Sequence, residues 1–297
     1  MGKVDIAALL ALSSALCVAI GDVLQQRATH RLTDTALGQL QLLAKLARNR
    51  RWQLGVLILV VSIVLQAAAL EQGSVLLVQA LLVLSLLFAL PISARLTQRS
   101  VTGREWIWAV VLTAAVTVIV TIGNPAAGHA TASPRTWAVV AAVLGPLLLG
   151  SVVAARVWGG ALAAVLFAFV SGSLWGSFAV LTKGVVHRLA EGGWGVFASP
   201  ELYAWLLVAL GGFAWEQSAF RAGSLTASMP TLQVSQPVVP ALLGVVVLGE
   251  TLDTGRIGMA ALIAAALVVA AATAELARVD AVATGERIEA LAAGHRA

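Results

Sequence analysis

The chain has 297 residues, 60% of them hydrophobic and only 11% charged, with a mean hydropathy of +0.93. So little charge cannot cover a soluble globular domain, which points to an integral membrane protein. The pI near 10.3 does not indicate a nucleic-acid partner, because most basic residues fall in short loops between apolar runs. Cys17 is the only cysteine, which excludes an internal disulfide and a cysteine metal cluster.

A membrane-crossing helix needs about 20 apolar residues. Nine runs qualify in chain order: 5–26, 53–70, 74–96, 105–122, 137–154, 159–182, 203–219, 224–248 and 256–275. The first continues to Leu24, too long for the apolar core of a signal peptide, and is read as a retained helix. Between the first two runs lies ALGQLQLLAKLARNRRW, residues 36–52. Leu37, Leu40, Leu43 and Ala47 recur at helical spacing there, which predicts an amphipathic helix in the headgroup plane over 36–50. An ordinary charged loop is the alternative. The tail, 276–297, mixes charge with alanine and predicts a cytoplasmic helical extension rather than a tenth span. With nine crossings, 14 Lys and Arg fall on one side and 5 on the other. The richer side is expected to be cytoplasmic, which puts the N-terminus outside and the C-terminus inside the cell membrane.

The two halves echo each other. VLQQRATHR (23–31) resembles VLTKGVVHR (180–188) at an offset of 157. LQAAALEQGS (65–74) resembles WEQSAFRAGS (215–224) at 150, and TGREW (102–106) resembles TGRIG (254–258) at 152. Spans 1–4 then correspond to spans 6–9, with span 5 as connector. An odd number of crossings separates each helix from its counterpart, so the repeat is inverted. The first repeat with its connector occupies 1–154, the second 155–275 and the tail 276–297.

Residues 220–270, FRAGSLTASMPTLQVSQPVVPALLGVVVLGETLDTGRIGMAALIAAALVVA, resemble the second-half signature of the drug/metabolite transporter superfamily, in its EamA-like group. The shared features are the turn at Ala222-Gly223, Pro237 in mid-helix, the LGE ending at Glu250, and Gly258 entering the last helix. The first half matches more loosely: LEQGSVLLVQALLVLSLLFALPISARLT (70–97) lacks the mid-helix proline of that pattern and the terminal Glu. The nine-span count, the basic loop before Trp52 and SSALCVAIGDVLQQR also resemble the NIPA-like branch, described as magnesium transporters. That branch carries an acidic residue early in its second span, where this chain has Ser62. The resemblance implies an all-α fold of inverted repeats and secondary active transport of a small solute, a metabolite or drug, by alternating access. A divalent-cation transporter, a flippase for a lipid-linked substrate and a membrane subunit without transport are the alternatives.

The stretch QVSQPVVPALLGVVVLGETL (233–252) explains how polar residues enter such a helix. Met229, Gln233, Gln236, Pro240 and Gly244 share one face. Pro237 and Pro240 leave the carbonyls of Gln233 and Gln236 without helical donors, free to accept from solute or water, and offer a hinge. Such a stripe suits a wet cavity; packing against neighbouring helices is the plain alternative. Gln79, placed where Met229 falls in the repeat, joins the solute-binding candidates with Gln66 and Trp175. Trp175 lies in SGSLWGS, where Gly172 and Gly176 have the spacing of close helix contact. Glu216, repeat counterpart of Gln66, is the candidate proton or cation carboxylate, with pairing to Arg221 as its alternative. Asp22, near the end of span 1, is a second coupling candidate, with pairing to Arg27 as its alternative. Glu250 is expected to fix the turn toward Arg256. Without a P-loop, a nucleophile–base arrangement or metal-ligand spacing of histidines, no enzyme activity, cofactor or metal centre is expected. The expected partners are a small-molecule or ion substrate, membrane lipid and a second copy of the chain.

Overall fold

The computed structural model describes residues 2–30, 49–97, 101–222, 225–252 and 254–294. All but the last two residues of the interfacial helix expected at 36–50 lie outside them. The elements are α1 (Lys3–His30), α2 (Arg50–Gln72), α3 (Val75–Leu82), α4 (Ser85–Thr97), α5 (Gly103–Gly123), α6 (Pro134–Trp158), α7 (Gly160–Gly192), α8 (Pro200–Ala222), α9 (Leu225–Leu248) and α10 (Arg256–Gly294). A 3₁₀ turn, Gly193–Ala198, precedes α8. Two short strands, β1 (Pro125–Ala126) and β2 (Thr251–Leu252), pair antiparallel, Pro125 opposite Leu252.

Side-chain oxygens start several helices by taking amides that have no helical acceptor. Asn49 accepts from Arg51 and Trp52 ahead of α2. Thr102 and Glu105 form a reciprocal capping box on α5. Ser133 caps α6, with Pro134 at its first position.

Among the described residues eight helices are long and apolar enough to cross a membrane, the build of an all-α multi-pass membrane protein. The seventh expected crossing, 203–219, does form as α8, but that helix is not one of the eight. Glu201, Glu216 and Gln217 within its 23 residues lower its hydropathy. The expected span 74–96 is one of the eight as Val75–Ile92, but it is built of two helices, α3 and α4. They meet at Val83-Leu84, where the Leu84 amide reaches back only three residues to Leu81. The expected sixth span ended at 182, whereas α7 continues to Gly192. The tail is helical as expected, continuing α10 to Gly294.

The burial pattern sorts the helices. In α7, 67% of the apolar stretch is buried, against 11% in α6, so α7 is the hub and α6 the rim. Apolar side chains of α6 such as Val143, Leu149 and Val157 face outward, as lipid contact requires. The main packed pairs are α1 with α2, α7 with α8, α7 with α9, and α5 with α10. In the first pair, Ser14 donates to the carbonyl of Ser62 at 2.9 Å. In the second, Ser171 donates to the carbonyl of Gly212 at 2.8 Å.

Contacts between loops define one end of the bundle. There Glu250 reaches Val75, Ser74 reaches Pro125, and Lys183 reaches Glu250. Arg188 pairs with Glu201 at 2.8 Å at the same end. The opposite end holds the start of α5, where Arg104 meets Glu275 of α10 at 3.0 Å.

Candidate functional site

The most concentrated polar chemistry lies where α3, α7 and α9 meet. Helix α9 stops at Leu248, and Gly249 takes φ +64, a left-handed conformation that glycine adopts without strain. The turn folds Glu250 back so that its amide donates to the carbonyl of Gly244 at 3.0 Å. Its side chain is then fully buried. Oε1 accepts from the Val75 amide at 2.6 Å and from Lys183 Nζ at 3.0 Å, and Oε2 accepts from the Leu76 amide at 3.0 Å. Gly244 makes the room, since a Cβ there would stand 2.8 Å from Oε2.

Each of these contacts has a local cause. Val75 and Leu76 open α3, so their amides have no helical acceptor, and the helix start favours negative charge. Ser74 takes the next amide, Leu77, at 3.1 Å and donates to the Pro125 carbonyl at 3.4 Å. The loop from α5 to α6 covers the site. The His129 amide donates to the Leu248 carbonyl at 2.7 Å, and Gly128 lies so close to that carbonyl that no side chain fits. Lys183 is 5% exposed, so its ammonium depends on Glu250 for compensation. One carboxylate thus joins three helices drawn from both halves of the sequence.

Two corrections follow. Glu250 does not fix a turn toward Arg256; it binds Lys183 and the start of α3, while Arg256 is exposed. Lys183 lies just beyond the expected end of the sixth span at 182, yet it is a buried residue of α7 and not a loop charge. The signal was present, since an isolated lysine between Leu181 and Val185 in an apolar helix needs a partner.

Helix α9 turns one face to α7 and α3. Pro240 packs on Gly176 and Ser235 on Gly172, both of α7, and Gly244 faces Val75. The opposite residues Val238, Leu242 and Val246 are exposed. Gly172 and Gly176 therefore serve close helix approach, as their spacing predicted. Gln233 and Gln236 are half-buried on α9, which runs as one helix through Pro237 and Pro240. Gln79 on α3 is buried, and its Nε2 has no hydrogen-bond partner among the described residues.

Trp175 and Glu216 form a separate pair, the indole Nε1 donating to Oε2 at 3.0 Å. The Trp175 ring lies on Gly212, where a Cβ would approach it to 3.2 Å, and meets Phe178 edge-on at 5.5 Å. Trp175 thus belongs to the α7–α8 contact and holds the coupling candidate. Arg221, the alternative partner of Glu216, has its side chain outside the described residues. Gln66 is half-buried on α2, and Asp22 is exposed on α1. Among the described residues no three His, Cys, Asp or Glu side chains gather as a metal site needs.

No family model and no solved structure matches the chain. An uncharacterized protein of Corynebacterium glutamicum is 35% identical over 255 residues, which cover 82% of this chain and 85% of that protein. A likeness of that depth across most of both chains makes this protein a member of the same family as the corynebacterial one.

Proposed function

We propose that this protein is a secondary carrier of a small solute, of the drug/metabolite transporter type, working by alternating access between two inverted repeats. The observation that carries the reading is one hydrogen bond made twice. Adding the sequence offset of 157 to Ser14 gives Ser171, and adding 150 to Ser62 gives Gly212. Those four residues make the same contact, Ser14 to the Ser62 carbonyl and Ser171 to the Gly212 carbonyl. Helices α2 and α8 support it further, being 23 residues each and starting 150 apart. Their directions agree with inversion. Ala7, early in α1, lies against Gly73 at the Glu250 end, whereas α7 reaches that end only late, at Lys183.

In this reading Gln79, Gln233 and Gln236 contact the solute with Gln66 and Trp175 near it, and α9 bends at Pro237 and Pro240. Glu216 carries the coupling proton, with Asp22 as its second candidate. The Glu250 tie closes one end, which the charge bias makes the extracellular one. The opposite end is cytoplasmic and carries the C-terminal tail.

Purified protein in lipid vesicles tests the reading. Vesicles loaded with amino acids, nucleobases, sugar derivatives, organic acids, cationic drugs or magnesium are assayed for exchange of the labelled compound. A carrier exchanges at least one solute class. A proton gradient accelerates net uptake in wild type and not in Glu216→Gln, while solute exchange persists in both. Magnesium flux alone, or lipid scrambling alone, would overturn the solute reading.

A further inference from the structure

The surroundings of Glu250 make a receptor whose donors all belong to other elements. The amides of Val75 and Leu76 are fixed by α3, and Lys183 stands on α7 with its side chain 5% exposed. Three donors meet two oxygens, at 2.6, 3.0 and 3.0 Å. A fourth donor is idle. Gln79 is 7% exposed, and its Nε2 has no partner among the described residues. It lies one turn beyond Val75 on the same face of α3, and helical side chains lean toward the helix start. The Val75 and Leu76 amides that hold Glu250 stand at that helix start.

The carboxylate is the one partner that no helix carries. Glu250 lies beyond the end of α9, attached through Gly249 at φ +64, whereas its donors sit within two other helices. A buried ammonium and a helix start that lose their carboxylate are left uncompensated, and an incoming anion would restore the balance.

We propose that this cradle is a binding site for a small carboxylate, which Glu250 fills as an internal stand-in while its end of the bundle is closed, and that the transported solute carries a carboxylate taking its place. The second half rests on the carrier reading; the binding site does not. A planar carboxylate fits better than a tetrahedral anion. Both oxygens are already matched, and beside Oε2 there is no room even for a Cβ at Gly244. A tethered carboxylate competes at an effective concentration on the order of millimolar. An external carboxylate therefore enters when the tether moves aside, which couples solute binding to opening.

The test is chemical rescue. Wild type, Glu250→Ala, Glu250→Asp and the double variant Lys183→Met/Glu250→Ala are melted in detergent with sodium acetate, sodium chloride or sodium phosphate at matched ionic strength. Glu250→Ala should melt lower than wild type, and acetate should raise its midpoint by about 3 °C or more beyond chloride. Glu250→Asp shortens the tether by one methylene without adding bulk, so its carboxylate falls short of the α3 amides and it should gain an acetate response that wild type lacks. It carries the test if Glu250→Ala does not fold. The double variant should lose the response. Equal effects of acetate and chloride, phosphate exceeding acetate, or rescue that persists without Lys183 would each overturn the site. Acetate rescue in a protein whose vesicles exchange no organic acid would overturn the carboxylate as solute and leave the binding site intact.

Discussion

Helix pair α1/α2 and helix pair α7/α8 share a plan and differ in material. Both are joined by a buried serine donating to a backbone carbonyl of the partner, at 2.9 Å in the first and 2.8 Å in the second. At the next equivalent contact they diverge. In the first pair Gly21 faces Gly55 so closely that a side chain on Gly21 would meet the Gly55 carbonyl at 3.1 Å and Leu59 at 2.7 Å. At the same offsets the second pair has Phe178 stacked on Trp205, ring centroids 4.9 Å apart. Close backbone approach does in one pair what aromatic filling does in the other. Lipid provides no hydrophobic drive between helices, so packing by either means must hold them. The aromatic pair also carries what the glycine pair lacks: Trp175 on Glu216, Trp205 on Thr182 at 2.8 Å, and Lys183. Both pairs keep the serine joint, and the second bears the polar chemistry.

The largest break in the comparison should come at Lys183. Its offset partner, Gln26, is uncharged. Lys183→Met leaves the buried Glu250 carboxylate without its cation, a loss of about 3–5 kcal/mol for a buried pair deprived of one member. Thermal unfolding in detergent reads it, and adding Glu250→Gln should recover part of the loss. A loss below about 1 kcal/mol would mean that the α3 amides alone compensate the carboxylate. Phe178→Ala comes next. It removes the ring shared by Trp175 and Trp205 and should cost about 3 kcal/mol through the cavity it leaves.

These two residues also mark where the sequence stopped being legible. Apolar runs locate the long helices, since a bilayer imposes length and hydropathy locally. Three short matches reveal the offsets that later align Ser14 with Ser171. The break at Val83-Leu84 was not legible, because no proline or glycine marks it, whereas α9 stays one helix through Pro230, Pro237 and Pro240. Proline freezes one dihedral and removes one donor, which is not enough to end a helix that neighbours hold on both sides. The partners of Glu250 were hidden for another reason. Val75 lies 175 residues away and Lys183 lies 67 away, and backbone amides leave no trace in residue types. Trp175 and Glu216, 41 residues apart, were each singled out, but not as a pair.

Smaller effects sharpen the comparison. Gly21→Ala forces a methyl against Leu59 and the Gly55 carbonyl, so it should cost about 1–3 kcal/mol as an overpacked contact. The residue just ahead of the same helix offers a control, because a Cβ on Gly2 would meet nothing closer than 3.6 Å and its substitution should be silent by the same melt.

The serines give the smallest effect and the most informative one. Ser14→Ala and Ser171→Ala each delete one interhelical hydrogen bond to a carbonyl that belongs to a helix, worth about 0.6 kcal/mol on average inside a membrane. The size is modest because the accepting carbonyl keeps its place in the helical ladder. What matters is equality. If the two pairs are copies of one joint, the two losses should agree, and the double variant should show their sum, since the sites lie in different helix pairs. Ser14 also contacts the Ser62 hydroxyl at 3.1 Å, a contact the second pair lacks because Gly212 stands there. Ser62→Gly removes that extra contact and makes the first pair match the second. Ser14→Ala measured in that background should then cost the same as Ser171→Ala in wild type. Unequal costs would mean that the two joints are alike in geometry but not in what they contribute, and the repeat would be only architectural.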